Sequence, residues 1–255
     1  MPFTLAHPAA ILPLRHLRYL RTAPLIVGAI TPDLPDYIPM RHAGYLLHET
    51  HRLRGSWSID LPLGLALLIV LFQLRQPLTV LLPARSRGLC LRALEPYAHR
   101  PLEWLIAPVA ILVGVWTHLL WDSFTHNDGW MVRRIDVLSR AVTIGPYTGQ
   151  LCHVLQYLSS VAGLLIMAVW YSRLRSPPPL TRPAANHSTA GPVLLLAAAA
   201  AALIGGVQAT QTYHATEAIY QTLNVLLTHT LAWFAVLYLV AGTLAVLHPE
   251  AVERG

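Results

Sequence analysis

Trp104-Leu-Ile-Ala-Pro-Val-Ala-Ile-Leu-Val-Gly-Val-Trp-Thr-His-Leu-Leu-Trp121 runs for 18 residues without a formal charge, then passes straight into Asp122-Ser-Phe-Thr-His126. A bilayer's hydrocarbon core takes about 20 mainly apolar residues in a helix, so this stretch reads as a membrane span. Its last turns carry His118 and Asp122, and ionisable groups in such a setting are costly unless they pair or hold an ion. Fold and candidate chemistry meet in this one segment.

The rest of the chain agrees. Of 255 residues 55% are hydrophobic and 12% charged, and mean hydropathy is +0.49, whereas soluble domains carry roughly 25% charge. Further spans are expected at Leu61–Pro83, Leu151–Tyr171, Pro192–Val207 and Ala218–Leu247. Arg75 and Pro77 interrupt the first of these, and Arg173, Arg175 and the Ser176-Pro177-Pro178-Pro179 run end the one beginning at Leu151. The fold class is therefore all-α, a polytopic membrane bundle of about five spans. It reads as a single membrane domain over 1–255, with a site-forming segment at 1–60, core spans at 61–171, a Pro-rich loop at 172–191 and C-terminal spans at 192–255. No stretch of 1–60 is long enough to cross. That segment is expected to form short helices lying at the interface or packed on the bundle, with Arg15, Arg18 and Arg21 on an amphipathic surface helix. No cleavable signal peptide is expected, since Met1–Ala10 has no basic leader.

All 18 basic residues are Arg, giving a pI near 9.7. They are scattered through short segments and form no single stripe, so membrane flanks explain the charge and a nucleic-acid partner is not expected. Cys90 and Cys152 have no finger or C-x-x-C spacing and read as packing residues.

Two sequential crossings return the chain to its starting side. His7, Asp33, His51, the His118/Asp122 pair and Asp60, at the mouth of the first span, are thus expected on one membrane face. Short loops dominate the positive-inside rule. Arg85, Arg87, Arg92, Arg100, Arg173, Arg175 and Arg182 mark the opposite side as cytoplasmic and the site as extracytoplasmic.

His118, Asp122 and His126 stand at i, i+4 and i+8, on one helical stripe. Imidazole nitrogen and carboxylate oxygen together suit zinc or another first-row divalent ion. A helix-end histidine hydrogen-bonded to a capping aspartate is the plainer alternative. Asp33 and Asp36 lie three apart in Thr31-Pro32-Asp33-Leu34-Pro35-Asp36-Tyr37, where prolines fix the backbone around metal ligands or around ordinary turn acids. His48-Glu49-Thr50-His51 is one residue short of the zinc-protease H-E-x-x-H. His42, His99, His153, His187, His214, His229 and His248 have no acidic partner at helical spacing and read as structural. Trp116, Trp121 and Trp130 fit an interfacial belt.

The opening Met1-Pro2-Phe3-Thr4-Leu5-Ala6-His7-Pro8-Ala9-Ala10, then Pro32-Asp33, then His51 ahead of Asp60-Leu61-Pro62-Leu63-Gly64, then Thr117-His118 through His126, resemble an uncharacterised bacterial membrane family catalogued as domain of unknown function 4184. More distantly, the order His, Pro-Asp, His, His-x-x-x-Asp is similar to inner-membrane metal-dependent hydrolases and to zinc-dependent phospholipase C. That resemblance implies a metal site of His7, Asp33, His51, His118 and Asp122 in the bacterial inner membrane. The chain departs from those relatives where they have Pro-Asp-x-Asp and His-Arg-Gly-x-Thr-His.

The expected function is a membrane-embedded metal-dependent hydrolase of a phosphoester or lipid-linked substrate, with membrane lipid as its surroundings. Its ion is a divalent metal, zinc in first place. Asp36, Asp60 and His126 are the candidates for general base or for orienting the ligands, and Arg52 or Arg54 for holding phosphate. The rival is a non-catalytic scaffold or metal-binding protein whose His/Asp cluster is structural. A transporter would place its ionisable groups nearer the midplane.

Overall fold

The computed structural model describes residues 4–17, 19–37, 43–145, 147–175, 187–212 and 219–247. Arg18, His42, the Ser176–Pro179 run, Arg182, His214 and His248 lie outside them, as does the side chain of His187. Five helices are long and apolar enough to cross a membrane: Ser56–Gln73, Pro101–Thr125, Leu151–Arg173, Ala190–Gln208 and Leu226–Leu247. The protein is an all-α polytopic membrane bundle, and its exposed Leu158, Leu165, Leu195, Leu196 and Leu203 belong to surfaces that lipid solvates.

Two compact units emerge from the contacts. The first comprises Met1–Leu34, Gly44–Leu68 and Pro101–Leu174. It begins with a 3₁₀ segment, Thr4–His16, tightened by Pro8 and Pro13, which deny an α-helix its backbone donors. Among the described residues, Arg15 therefore lies on a 3₁₀ segment and Arg21 just precedes α1, in place of the expected amphipathic α-helix. Helix α1 (Thr22–Ile30) follows, then a 3₁₀ turn, Thr31–Tyr37, whose first residues belong to this unit. Helix α2 (Ala43–Thr50) leads through a π-helical turn, Ser56–Asp60, into α3 (Leu61–Gln73).

The first span thus starts earlier and ends sooner than the expected Leu61–Pro83. Helix α4 (Pro77–Val80) begins where proline lacks an amide hydrogen to extend the preceding helix. Asp60 lies inside the spanning helix and is fully buried, so it is not at the mouth. Helix α5 (Ala84–Leu94) holds Arg85, Arg87 and Arg92, which were expected in a loop, and Arg100 follows the short α6 (Pro96–His99).

Helix α7 (Pro101–Thr125) is the central span. Its buried stripe is Ala107, Ala110, Ile111, Gly114 and Val115, and it turns polar at His118 and Asp122. Helix α1 lies against it in the same direction. Arg21, at the start of α1, is bound bidentately by Glu103 near the start of α7, and Ala29, near the end of α1, reaches His118. The backbones meet where side chains vanish. A Cβ on Gly28 would strike the Ile111 carbonyl, and one on Gly114 the Leu25 carbonyl, a close crossing of the kind small residues allow in membranes. Ile11, Leu25, Ala29 and Ala110 form the adjoining core. Of the two placements expected for residues 1–60, packing on the bundle is realised. The segment descends far enough for Arg21 to meet Glu103, roughly 22 Å of helix rise before His118.

After α7, the short α8 (Asp136–Ser139) and an antiparallel hairpin of β1 (Ala141–Ile144) and β2 (Tyr147–Gln150) precede α9 (Leu151–Arg173). The hairpin had no signal in the hydrophobic pattern.

The second unit contains Pro35–Ala43, Ile69–Arg100 and Arg175–Gly255. Here α10 (His187–Thr212) and α11 (Ile219–Leu247) pack together. Ala197 and Ala201 of the alanine run are buried. Trp233 Nε1 donates to Gln208 Oε1 at 3.1 Å, and Tyr238 donates to the Leu78 carbonyl at 3.0 Å.

Candidate metal centre

Three segments of the first unit deliver the cluster. Pro32, which has no amide hydrogen to continue α1, is the second residue of the 3₁₀ turn, and Asp33 after it is completely buried. The Thr50 hydroxyl donates to the Pro32 carbonyl at 2.8 Å and lies equally close to the Leu47 carbonyl. This bond ties the end of α2 to the turn and brings His51 beside Asp33. Helix α7 supplies His118 and Asp122 from successive turns of its buried stripe.

One atom from each of Asp33, His51, His118 and Asp122 lies within 4.8 Å of the other three. His51 Nε2 is 3.3 Å from Asp33 Oδ1 and 3.3 Å from Asp122 Oδ2. His118 Nε2 is 3.3 Å from Asp33 Oδ1, 3.2 Å from Asp122 Oδ2 and 3.3 Å from His51 Nε2. Near-equal edges of this size enclose a point. A regular tetrahedron of 3.3 Å edges has its centre about 2.0 Å from each corner, and opening the sixth edge to its 4.8 Å limit moves that centre to about 2.4 Å. Nitrogen and oxygen ligands of zinc bind at about 2.0–2.2 Å, inside that interval.

The tautomers point the same way. His118 Nδ1 lies 2.8 Å from the Ala29 carbonyl and His51 Nδ1 lies 2.7 Å from the Leu47 carbonyl. A carbonyl only accepts, so both Nδ1 atoms carry hydrogen and both Nε2 atoms face the cluster. Backbone carbonyls commonly fix metal-binding histidines in this way. Both oxygens of Asp33 and Oδ2 of Asp122 are buried without a hydrogen-bond partner. With both imidazoles neutral, acceptors therefore converge with no well-aligned donor among the described residues, an arrangement that calls for a cation.

Protons stand in for that cation. Burial alone would lower the pKa of His51, but the carboxylates of Asp122 and Asp33 outweigh it and lift it to about 9. Burial would raise Asp33, yet His118 and His51 hold its carboxyl far below the usual range. Burial, reinforced by His118, depresses His7 to about 4 and keeps it neutral. Burial also lowers His126, against the pull of Asp122.

His7 is brought to the cluster but stands outside the four-atom group. Its ring stacks on His118 with centroids 3.9 Å apart, and its Nε2 is 3.6 Å from Asp122 Oδ1. His126 Nδ1 approaches the same oxygen at 3.5 Å, while its Nε2 meets Gln156 at 3.0 Å. Asp122 thus presents one oxygen to His51 and His118 and the other to His7 and His126. Asp60, on the π turn, is buried with both oxygens unpartnered, as is the Ser56 hydroxyl one turn earlier. Its burial inside the helix removes the helix-capping role open to it at a helix mouth. Asp36 is half-buried at the end of the 3₁₀ turn, belongs to the second unit and is not part of the four-atom group.

A cleft of about 750 Å³ opens onto His51, Asp122 and His126. Arg52 lines it while also pairing with Glu49 at 3.0 Å; Arg54, held bidentately by the same carboxylate, does not line it. Arg133 and Trp130 also line it, and sequence reasoning missed both as site residues. The Asp128-Gly129 turn after α7 was the available signal, since a turn there folds the following residues back over the helix end.

The chain belongs to the family described as "Domain of unknown function (DUF4184)", whose profile matches residues 1–247. No curated protein and no solved structure matches it.

Proposed function

We propose that this protein is a metal-dependent hydrolase embedded in the bacterial inner membrane, cleaving a phosphoester or lipid-linked substrate on the extracytoplasmic side. One observation carries the reading: two tautomer-fixed imidazoles and two buried carboxylates turn their lone pairs to one point beside an open cleft. Asp33, His51, His118 and Asp122 would hold a divalent ion, zinc in first place given the mixed nitrogen and oxygen donors. His7 is the reserve ligand through Asp122. When bound, such an ion polarises a phosphoryl oxygen and lowers the pKa of water towards 7.

The chain's own residues would do the rest. His126 lines the cleft and, by exchanging its Gln156 contact at Nε2 for the attacking water, would accept that water's proton and return it to the leaving group. Asp60 would steady the histidines electrostatically. Arg52 and Arg133 at the cleft would orient phosphate. The sidedness follows from Arg85, Arg87, Arg92 and Arg100, which lie between the first two spans and favour the cytoplasm. Against a purely structural cluster stand the oxygens of Asp33 and Asp60, which have no hydrogen-bond partner among the described residues, since a packing network gains only when its members are satisfied.

The test is metal content and phosphatase activity of purified protein. His118→Ala and Asp122→Ala are expected to abolish both, while His229→Ala leaves both unchanged. Equal metal in all three variants would reduce the cluster to packing.

A further inference from the structure

The cleft beside the cluster has two different walls. Its upper edge is polar, with His48, Arg52, Asp128 and Arg133 at the end of the membrane span. Its lower wall is a stripe of α7 formed by Trp116, Leu119 and Leu120. That stripe descends from Asp122 towards the middle of the helix by roughly 9 Å. It is the outward flank of a spanning helix: Trp116 is 39% and Leu120 58% exposed. Lipid, not water, covers such a surface. Only the accessible edge of the cluster meets this cleft, since the side chains of His51 and His126 are 22% and 27% exposed whereas His118 is at 0%.

We infer that the substrate is a bilayer lipid with a phosphate headgroup, which enters sideways from the membrane, laying its chain along Trp116, Leu119 and Leu120 and its phosphate between Arg52, Arg133 and the cluster. A water-soluble phosphoester would use the polar edge and leave the descending apolar wall unfilled. Arg52 is paired with Glu49 at 3.0 Å and Arg133 donates to the Asp128 carbonyl, yet Glu49 also holds Arg54 and a carbonyl carries no charge, so a lipid without phosphate would leave the cationic charge at the cleft only partly matched. The combination suits an amphiphile whose polar–apolar junction sits at the level of Asp122. Trp116 is met edge-on by Trp57 at 5.7 Å, so the lower margin of the entry is built from two lipid-facing indoles. The inference takes its phosphate from the hydrolase reading, but the route depends on the cleft alone.

The test is photolabelling of the full-length protein in dodecyl maltoside micelles, which hold no phosphate. The probes are a phosphatidic acid with a diazirine in its acyl chain and the diacylglycerol of the same chain. Phosphatidic acid is expected to label Trp116–Leu120 well above Leu195 and Leu196, exposed lipid-facing residues of α10 that serve as the reference for casual contact. The Arg52→Gln/Arg133→Gln double variant should lower that labelling at least tenfold, the loss that follows removal of charge-assisted bonds to phosphate. Leu120→Trp, which fills the wall and spares the arginines, should lower it too. Labelling of α7 no greater than of α10, equal labelling by diacylglycerol, or displacement of the lipid by glycerol phosphate at equal concentration would each overturn the lateral route. Metal content of the same preparation separates the two readings. A protein that labels but never binds metal keeps the lipid cleft and loses the hydrolase, whereas one that binds metal and cleaves only soluble esters does the reverse.

Discussion

At the residue scale, Asp60 and His51 carry separable predictions. Asp60 sits buried and unpartnered on the π turn, so its charge has the cluster histidines as its natural counterparts. Asp60→Asn keeps the shape and removes the charge. Metal affinity measured by titration should fall about 10–100-fold, the usual effect of losing an orienting carboxylate; a curve that overlays the unsubstituted protein would assign Asp60 to packing. For His51 the pKa near 9 sets the pH window. With the folded value raised above the unfolded value of about 6.5, the metal-free protein has this stabilisation in full below about pH 6.5 and loses it as pH rises through 9. Metal binding must displace that proton, so His51 alone should contribute about a tenfold rise in apparent affinity per pH unit between 7 and 9. Melting temperatures of metal-free and metal-loaded protein should accordingly diverge as pH rises. Parallel curves would mean that no proton is exchanged at His51. His118 and Asp122 were legible as a pair because spacing alone puts them on one stripe. The tautomers were not, since they depend on carbonyls of Ala29 and Leu47 that no side-chain pattern reveals.

At the element scale, the site depends on how closely α1 approaches α7. The Ala29 carbonyl reaches His118 because Gly28 and Gly114 let the two backbones touch. Gly114→Ala is favourable for an isolated helix by roughly 1 kcal/mol. Here its methyl would meet the Leu25 carbonyl and come within 2.8 Å of the Ala29 amide nitrogen, so the helices must part. Thermal unfolding should show a loss of about 1–3 kcal/mol from overpacking, with weakened metal binding as the Ala29 contact to His118 opens. Gly191→Ala, which meets nothing within 4 Å, should be neutral or stabilising. If both substitutions behave alike, the close crossing has no energetic content. The span at Trp104–Trp121 was plain from apolar length. Helix α1 was not, because its nine residues rise only about 13 Å and its burial comes from neighbours. Prolines at 8 and 13 likewise turned the expected amphipathic helix into a 3₁₀ segment, a local veto stronger than the spacing of Arg15 and Arg21.

At the scale of the whole molecule, five apolar lengths were readable because hydropathy integrates over some twenty residues and tolerates errors at each end. The convergence of Asp33 and His51 on α7 was read from membrane sidedness, a coarse constraint that selects a face and not a distance. The hairpin at 141–150 escaped because two four-residue strands have no such integrated signal. Orientation remains a consequence of charge: arginines at 85, 87, 92 and 100 precede the second span, and the hairpin follows it. Under the orientation proposed above, positive-inside bias would put α5 in the cytoplasm and the hairpin, with the cluster, outside. Thr143 and Ala84 are both exposed positions on those two elements. In a Cys90→Ser background, Thr143→Cys should react with a membrane-impermeant maleimide on intact cells, and Ala84→Cys only after permeabilisation. The reverse pattern would turn the cluster towards the cytoplasm, and labelling of both on intact cells would break the two-crossing count that places α5 and the hairpin on opposite faces.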